Sequence, residues 1–301
     1  MTGADGSGVG LVLGAGGPMG WAFHLGVLDG VRSTLGHEPA GVARVVGTSA
    51  GGSIAATLLG GATTDDVLAS ITTPPTDDER ERMREAMASL KRPWRRLRPA
   101  APGALRGVGR GRGIAPLVGM LPGGVFPTSP LRRFPIGDLD LAWPTQLWLP
   151  AVSMQRGDRV VFGRDRADVS VADALEATSA VPLMFEPKQI GDDLFVDGAV
   201  HSSTNADLLV GDDVGTVLIS SPMTRPGGGM VRRRARRQLA AEVELLRAHG
   251  TRVVVVEPDE ALVELAGGFP RENHEAGPAI VAAAGELTAR ALEAGPFARR
   301  A

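Results

Sequence analysis

The stretch Gly10-Leu11-Val12-Leu13-Gly14-Ala15-Gly16-Gly17-Pro18-Met19-Gly20 decides the fold class. Its first four residues are a short apolar run halted by glycine, the pattern of a strand buried on both faces. The glycines then make a tight turn. From Trp21 to Leu35 the apolar residues Ala22, Leu25, Leu28, Val31 and Leu35 recur at helical spacing. The same parts return at once: Arg44-Val45-Val46 reads as a strand, Gly47-Thr48-Ser49 as a turn, and Ala50 to Leu59 as a helix of small apolar residues. Two strand–turn–helix units in succession require parallel strands with helices packed on them, an α/β fold.

Sheet signals resume at Leu147 to Val152, Arg159 to Phe162, Leu194 to Val196, Val214 to Ser220 and Arg252 to Val256. Helices are expected from Ser170, which can cap the run to Ala177, from Val231 to His249, and from Ile280 to Leu292. Between Thr73 and Leu131 the character changes. Asp77 to Leu90 reads as a polar helix, and Lys91 to Gly113 is rich in Pro, Gly and Arg. This segment is expected to be an insertion over one face of the domain.

Composition narrows the function classes. The chain has 301 residues, 43% of them hydrophobic and 22% charged, enough apolar material for a large core and too much for global disorder. Without cysteine there is no disulfide scaffold, no thiolate-held metal and no catalytic thiol. A formal charge of −2 argues against a whole-chain polyanion binder, and 4% aromatic residues against a single-stranded nucleic-acid platform. No apolar run is long enough to span a bilayer as a helix, and Met1 to Gly10 lacks the basic start of a leader. A cytoplasmic protein without cofactor or metal is expected.

The two glycine turns carry the chemistry. A turn between strand and helix aims backbone N–H groups at an anion, whether a phosphate or a developing oxyanion. A dinucleotide fingerprint would need an acid at the end of the second strand, where Gly47-Thr48-Ser49 stands. A phosphate-binding P-loop would need Lys-Ser/Thr after Gly20, which is followed by Trp21-Ala22. Gly47-Thr48-Ser49-Ala50-Gly51 matches G-x-S-x-G, a pattern that chance supplies in roughly one of three chains of this composition. Its place between strand and helix is that of a nucleophile elbow; the competing reading has Ser49 as the N-cap of the next helix.

A serine nucleophile needs a base. The histidines are His24, His37, His201, His249 and His274, and none stands in an obvious loop after a late strand. His24, one turn into the first helix, reads as packed. The other candidate is Asp197 in Phe195-Val196-Asp197-Gly198-Ala199, at the end of a short strand. A free aspartate is a weak base near pH 7, and burial beside the serine raises its pKa. The competing reading makes Asp197-Gly198 a plain turn.

The loop Gly14–Gly20, then Gly47-Thr48-Ser49-Ala50-Gly51, then Asp197-Gly198-Ala199 resemble, in that order, the patatin-like phospholipase family. Ala177 to Phe185 and Ser202 to Asn205 add to the likeness, which spans roughly Val9 to Ser221. The resemblance implies a three-layer α/β/α fold with a mostly parallel sheet and a lipid acyl hydrolase with a Ser–Asp dyad. By that likeness Ser49 is the nucleophile, Asp197 the base, and the N–H groups around Gly16 and Gly17 the oxyanion hole, with Gly14 and Gly20 shaping it. Gly47, Gly51 and Gly198 support the motifs. The chain departs from the family at Met19, where Arg or Lys is usual, and at Pro18, which has no N–H to offer.

The domain so expected covers residues 9–222, with 73–131 as a cap or lid, and residues 223–301 complete it. The expected partner is a lipid ester, with no nucleic acid. Residues 80–112 carry eleven cations against Glu81 and Glu85, a charge suited to anionic headgroups and hence to peripheral membrane contact. The bland reading is a solvated segment. Two other functions remain open at this point: an esterase or thioesterase for soluble acyl groups, and a catalytically silent lipid-binding module.

Overall fold

A computed structural model describes residues 8–36, 38–72, 124, 126–129, 141–268, 271–272 and 276–295. The chain opens with β1 (Val9–Leu13), α1 (Gly17–Leu35), β2 (Arg44–Gly47), α2 (Ala50–Leu59) and α3 (Thr64–Thr72). It continues with β3 (Leu147–Ser153), β4 (Arg159–Phe162), α4 (Val171–Thr178), β5 (Lys188–Ile190), β6 (Asp193–Asp197) and β7 (Thr216–Ser220). The last third holds α5 (Met230–Ala248), β8 (Arg252–Val256), α6 (Glu260–Ala266), the short pair β9 (Gly267–Gly268) and β10 (Arg271–Glu272), and α7 (Gly277–Ala294).

Eight strands make one sheet in the order β5-β6-β3-β2-β1-β7-β8, with β4 paired to β3 off that path. The run β3-β2-β1-β7-β8 is parallel, while β4 and β6 pair with β3 antiparallel. Every residue of β1, β3 and β7 is buried, as strands covered on both faces must be. Side chains alternate between two cores. Leu11 and Leu13 join α1, α2 and α7 through Phe23, Ile54 and Ile280, whereas Val12, Val46, Val217 and Ile219 join α5 through Leu239, Val243 and Leu246. Helices on both faces of a mostly parallel sheet give the three-layer α/β/α architecture.

Helix α1 begins at Gly17, four residues before the periodicity at Trp21 suggests. The first turn of a helix has no internal acceptor for its N–H groups, so Pro18 fits there without loss. The cap of α4 is as expected: the Ser170 hydroxyl accepts the Asp173 N–H at 3.0 Å. The sequence reading contained neither α3, α6 nor β5. The polar helix at Asp77–Leu90, the Arg-rich run within 80–112, nearly all of the 73–131 cap, His37 and His274 lie outside the described residues. Among the described residues no helix is long and apolar enough to cross a membrane.

Candidate active site

Ser49 stands two residues beyond β2 with φ 54° and ψ −120°, a region of backbone space strained for a residue with a Cβ. The sharp turn fits because Gly51 comes hard against β1: a Cβ there would lie 2.0 Å from the Leu13 carbonyl oxygen. The Thr48 N–H donates to that same carbonyl at 2.9 Å. The Ser49 side chain makes no capping bond to α2, so the reading in which it serves only as an N-cap fails.

Asp197 ends β6 and is 2% exposed, with Ser49 6% exposed. Two registers bring them together on β3. Val45 and Val46 of β2 pair with Leu147 and Trp148, and continuing that register sets Thr48 level with Pro150. Asp197 of β6 pairs with Ala151, and the next step sets Gly198 level with Pro150 as well. The serine and aspartate turns therefore meet over one residue of β3. Gly198 permits the approach, since a Cβ on it would lie 2.3 Å from the Pro150 oxygen and 3.2 Å from Thr48 Cγ2.

Burial pushes the Asp197 carboxyl up to about 7, and hydrogen bonds from the Ala199 N–H and the Ser49 side chain pull it only partway back. The Ala199 bond to Oδ1 is 2.8 Å long, and the Asp197 N–H is held by the Ala180 carbonyl at 3.0 Å. A carboxyl with a pKa near 7 is a far better general base at neutral pH than a solvated one.

The glycine loop adjoins this pair. The Gly14 N–H donates to Ser220 O at 3.0 Å, the Ala15 N–H to Ser203 O at 2.8 Å, and the Gly20 N–H to Gly16 O at 3.0 Å. Gly14 and Gly20 therefore spend their donors inside the protein and only shape the loop. Among the described residues no protein acceptor takes the N–H of Gly16, Gly17 or Met19. The Met19 side chain is buried in the core on the α1 face, so an apolar packing residue stands where the family usually carries a cation.

His24 is wholly buried and lies beneath the loop. Its Nε2 is 2.7 Å from Gly14 O and its Nδ1 2.7 Å from Ser220 Oγ. A carbonyl can only accept, so Nε2 carries the hydrogen and Nδ1 accepts from the serine hydroxyl. Burial, opposed by the Gly14 bond, holds the imidazole down at about 4, and it stays neutral. It fixes the first residue of the glycine loop and does not face Ser49 as a base.

Three further residues tie the turns together; Thr178 and Asn205 lie in the stretches Ala177–Phe185 and Ser202–Asn205 that add to the family likeness, without a role assigned there, and Glu242 lies in no motif. Thr178 Oγ1 accepts the Ser49 N–H at 3.2 Å and donates to Pro150 O at 2.6 Å. Asn205 Nδ2 donates to Thr48 Oγ1 at 3.1 Å and to Ser202 O at 2.6 Å, and reaches Gly198 O at 3.5 Å. Its Oδ1 accepts from Arg159, which also holds both oxygens of Asp207 at 2.7 Å. Buried Glu242 of α5 accepts from Thr204 Oγ1 at 2.5 Å and from the Ala206 N–H at 3.0 Å. The segment Ser202–Ala206 is thus anchored from below while it holds Ala15, Thr48 and Gly198. Among the described residues no group of three or more His, Asp and Glu side chains is placed to hold a metal.

The patatin-like phospholipase profile matches residues 11–210, about two thirds of the chain, and spans all three turns. The chain belongs to the patatin-like phospholipase family. As a patatin-like phospholipase it is a hydrolase of carboxylic esters, of the lipid acyl hydrolase class. No curated protein matches the chain. Among solved structures it is similar to VipD from Legionella pneumophila, with 12% identity over 98% of this chain and 70% of that one at a TM-score of 0.48. It is also similar to the type III effector protein ExoU, with 19% identity over 95% of this chain and 53% of that one at a TM-score of 0.40.

Proposed function

We propose that the protein cleaves the ester bonds of phospholipids or acylglycerols through a Ser49–Asp197 dyad and an acyl-serine intermediate. The observation that carries this reading is the pairing of a strained, nearly buried serine with a buried carboxyl whose pKa is raised to about 7. Ser49 Oγ attacks the ester carbonyl while Asp197 takes the hydroxyl proton. The N–H groups of Gly16 and Gly17 hold the oxyanion, each such donor being worth about 3 kcal/mol in the transition state. Collapse expels the alcohol, which leaves with the proton from Asp197. Water then attacks the acyl-serine, Asp197 accepts its proton, and the fatty acid departs as Ser49 regains its hydrogen.

The membrane-facing role proposed for residues 80–112 rests on their charge. Fluorophosphonate labelling of the purified protein tests the dyad. Wild type should label at Ser49, Ser49→Ala should not label, and Asp197→Asn should label at least a hundredfold more slowly, as loss of a general base predicts. Folded wild type that stays unlabelled, with and without vesicles, would sink the proposal and favour a lipid-binding module. Turnover of soluble short-chain esters alone, with none from vesicles or micelles, would replace the lipid substrate with a soluble one.

A further inference from the structure

The loop that leaves α4 for β5 begins inside the site and ends on the surface. Thr178 accepts the Ser49 N–H, and the Ala180 carbonyl accepts the Asp197 N–H. Directly beyond, Val181, Leu183 and Met184 are exposed, Leu183 to 57%. Only six large hydrophobic side chains are exposed among the described residues, and three of them fall within these four positions. Such concentration marks a contact surface, where scattered exposure would need no explanation.

The backbone adds an independent sign. Leu183 has φ 69°, in the left-handed region where its Cβ crowds the following carbonyl and where glycine or asparagine is the usual occupant. The turn is fixed in this form. Met184 and Phe185 both donate to Val181 O, at 3.2 and 2.9 Å, and Phe126 bridges the far end through Met184 O and the Glu186 N–H at 2.9 and 2.8 Å. The Phe126 and Phe185 rings lie 5.8 Å apart beneath it. A bulky side chain is thus held under strain with most of its surface in water, an arrangement that packing within the fold does not reward.

We propose that the Val181–Met184 turn seats the protein on a lipid aggregate, with Leu183 entering the acyl layer beside Ser49. This rests on the lipid-ester reading and adds the surface through which the ester is reached. From Ser179 to Phe185 the turn has no ionisable side chain, so it enters an apolar layer without desolvating a charge. Its rigid tie to both Ser49 and Asp197 sets the reacting groups at a fixed place relative to that layer.

Co-sedimentation with unilamellar vesicles of dioleoylphosphatidylcholine tests the inference in a Ser49→Ala background, where no lipid is consumed. These vesicles carry no net charge, so basic residues contribute little to binding. Leu183→Gly suits the left-handed backbone and should melt no lower than its parent, while its partition onto vesicles should fall about tenfold. Met184→Gln should lower it in the same direction. With Ser49 restored, the ratio of vesicle rate to soluble-ester rate should fall by the same factor. Unchanged partition in both variants, or a parent that does not bind these vesicles, would overturn the assignment. So would unchanged partition with a loss of rate confined to dispersed long-chain esters, which would make the turn an acyl-chain contact. Labelling of Ser49 without vesicles reports on the hydrolase reading separately, so failure of one is not mistaken for failure of the other.

Discussion

Thr178 concentrates the site's geometry in one hydroxyl. It holds the N–H of Ser49, the proposed nucleophile, and the carbonyl of Pro150, over which both turns meet. Thr178→Val keeps the shape and leaves a buried donor and a buried acceptor unpaired, at a cost of about 1–3 kcal/mol for each group. The expected result is a tenfold or larger fall in kcat on a soluble ester with KM little changed, and near-complete rescue in Thr178→Ser. A loss in Thr178→Ser with Thr178→Val close to wild type would show that the methyl group, and not the hydroxyl, matters. Asp197 supplies a second prediction at this scale. Only its ionised form can take the serine proton, so kcat/KM should climb through an acid limb near pH 7 and then level off. A limb near pH 4 would mean that water reaches the carboxylate during turnover.

At the scale of elements, the Ser49 and Asp197 turns can be placed from sequence, and the stretches that hold Thr178 and Asn205 enter the family likeness, but the bonds that join the turns cannot be read there. Ser49 and Asp197 each sit where an apolar run gives way to a glycine-bearing turn, and that is a local pattern. Thr178 binds a group 129 residues away and Asn205 one 157 residues away, so their roles exist only once β3 has brought the turns together. His24 pairs with Ser220 at a separation of 196 residues, and for that reason it reads in sequence only as packed. Pro150 shows the same limit in a strand. Proline is disfavoured in a central strand because it lacks a ladder donor. Here its carbonyl faces the gap between the end of β2 and the end of β6, where it meets the Thr178 hydroxyl and no strand N–H is required of it. The segment Ser202–Ala206 yields the matching test. Asn205→Ala removes the amide that links the Thr48 and Gly198 turns. It should lower kcat by at least tenfold and, by admitting water, move the acid limb toward lower pH. A variant that lost rate through general loosening alone would keep the limb in place, so the pH profile separates the two.

Across the whole molecule, the two buried titratable groups nearest the glycine and aspartate turns act on stability with opposite signs. Asp197 has a folded pKa near 7 against 3.8 in the unfolded chain, so between those values the native state holds a proton that the unfolded state has released. Stability from this group is present at low pH and is lost as pH rises toward 7. His24 has a folded value near 4 against 6.5, so over much of the same range the unfolded state holds the extra proton. Its contribution is present at neutral pH and is lost as pH falls toward 4. In the wild type the two slopes largely offset each other between pH 4 and 6.5. Asp197→Asn removes one slope and exposes the other. The variant should match the wild type near pH 4 and gain on it steadily up to pH 7, reaching about a few kcal/mol of added stability, because folding no longer has to protonate a carboxyl that the unfolded chain holds ionised. Denaturant melts of both proteins at several pH values would show this as a widening gap in midpoint with unchanged m-value. A constant gap across the range would mean that Asp197 does not titrate between the two states. The gain in stability, bought with the loss of the base, would mark the charge at Asp197 as one the fold tolerates and the chemistry requires.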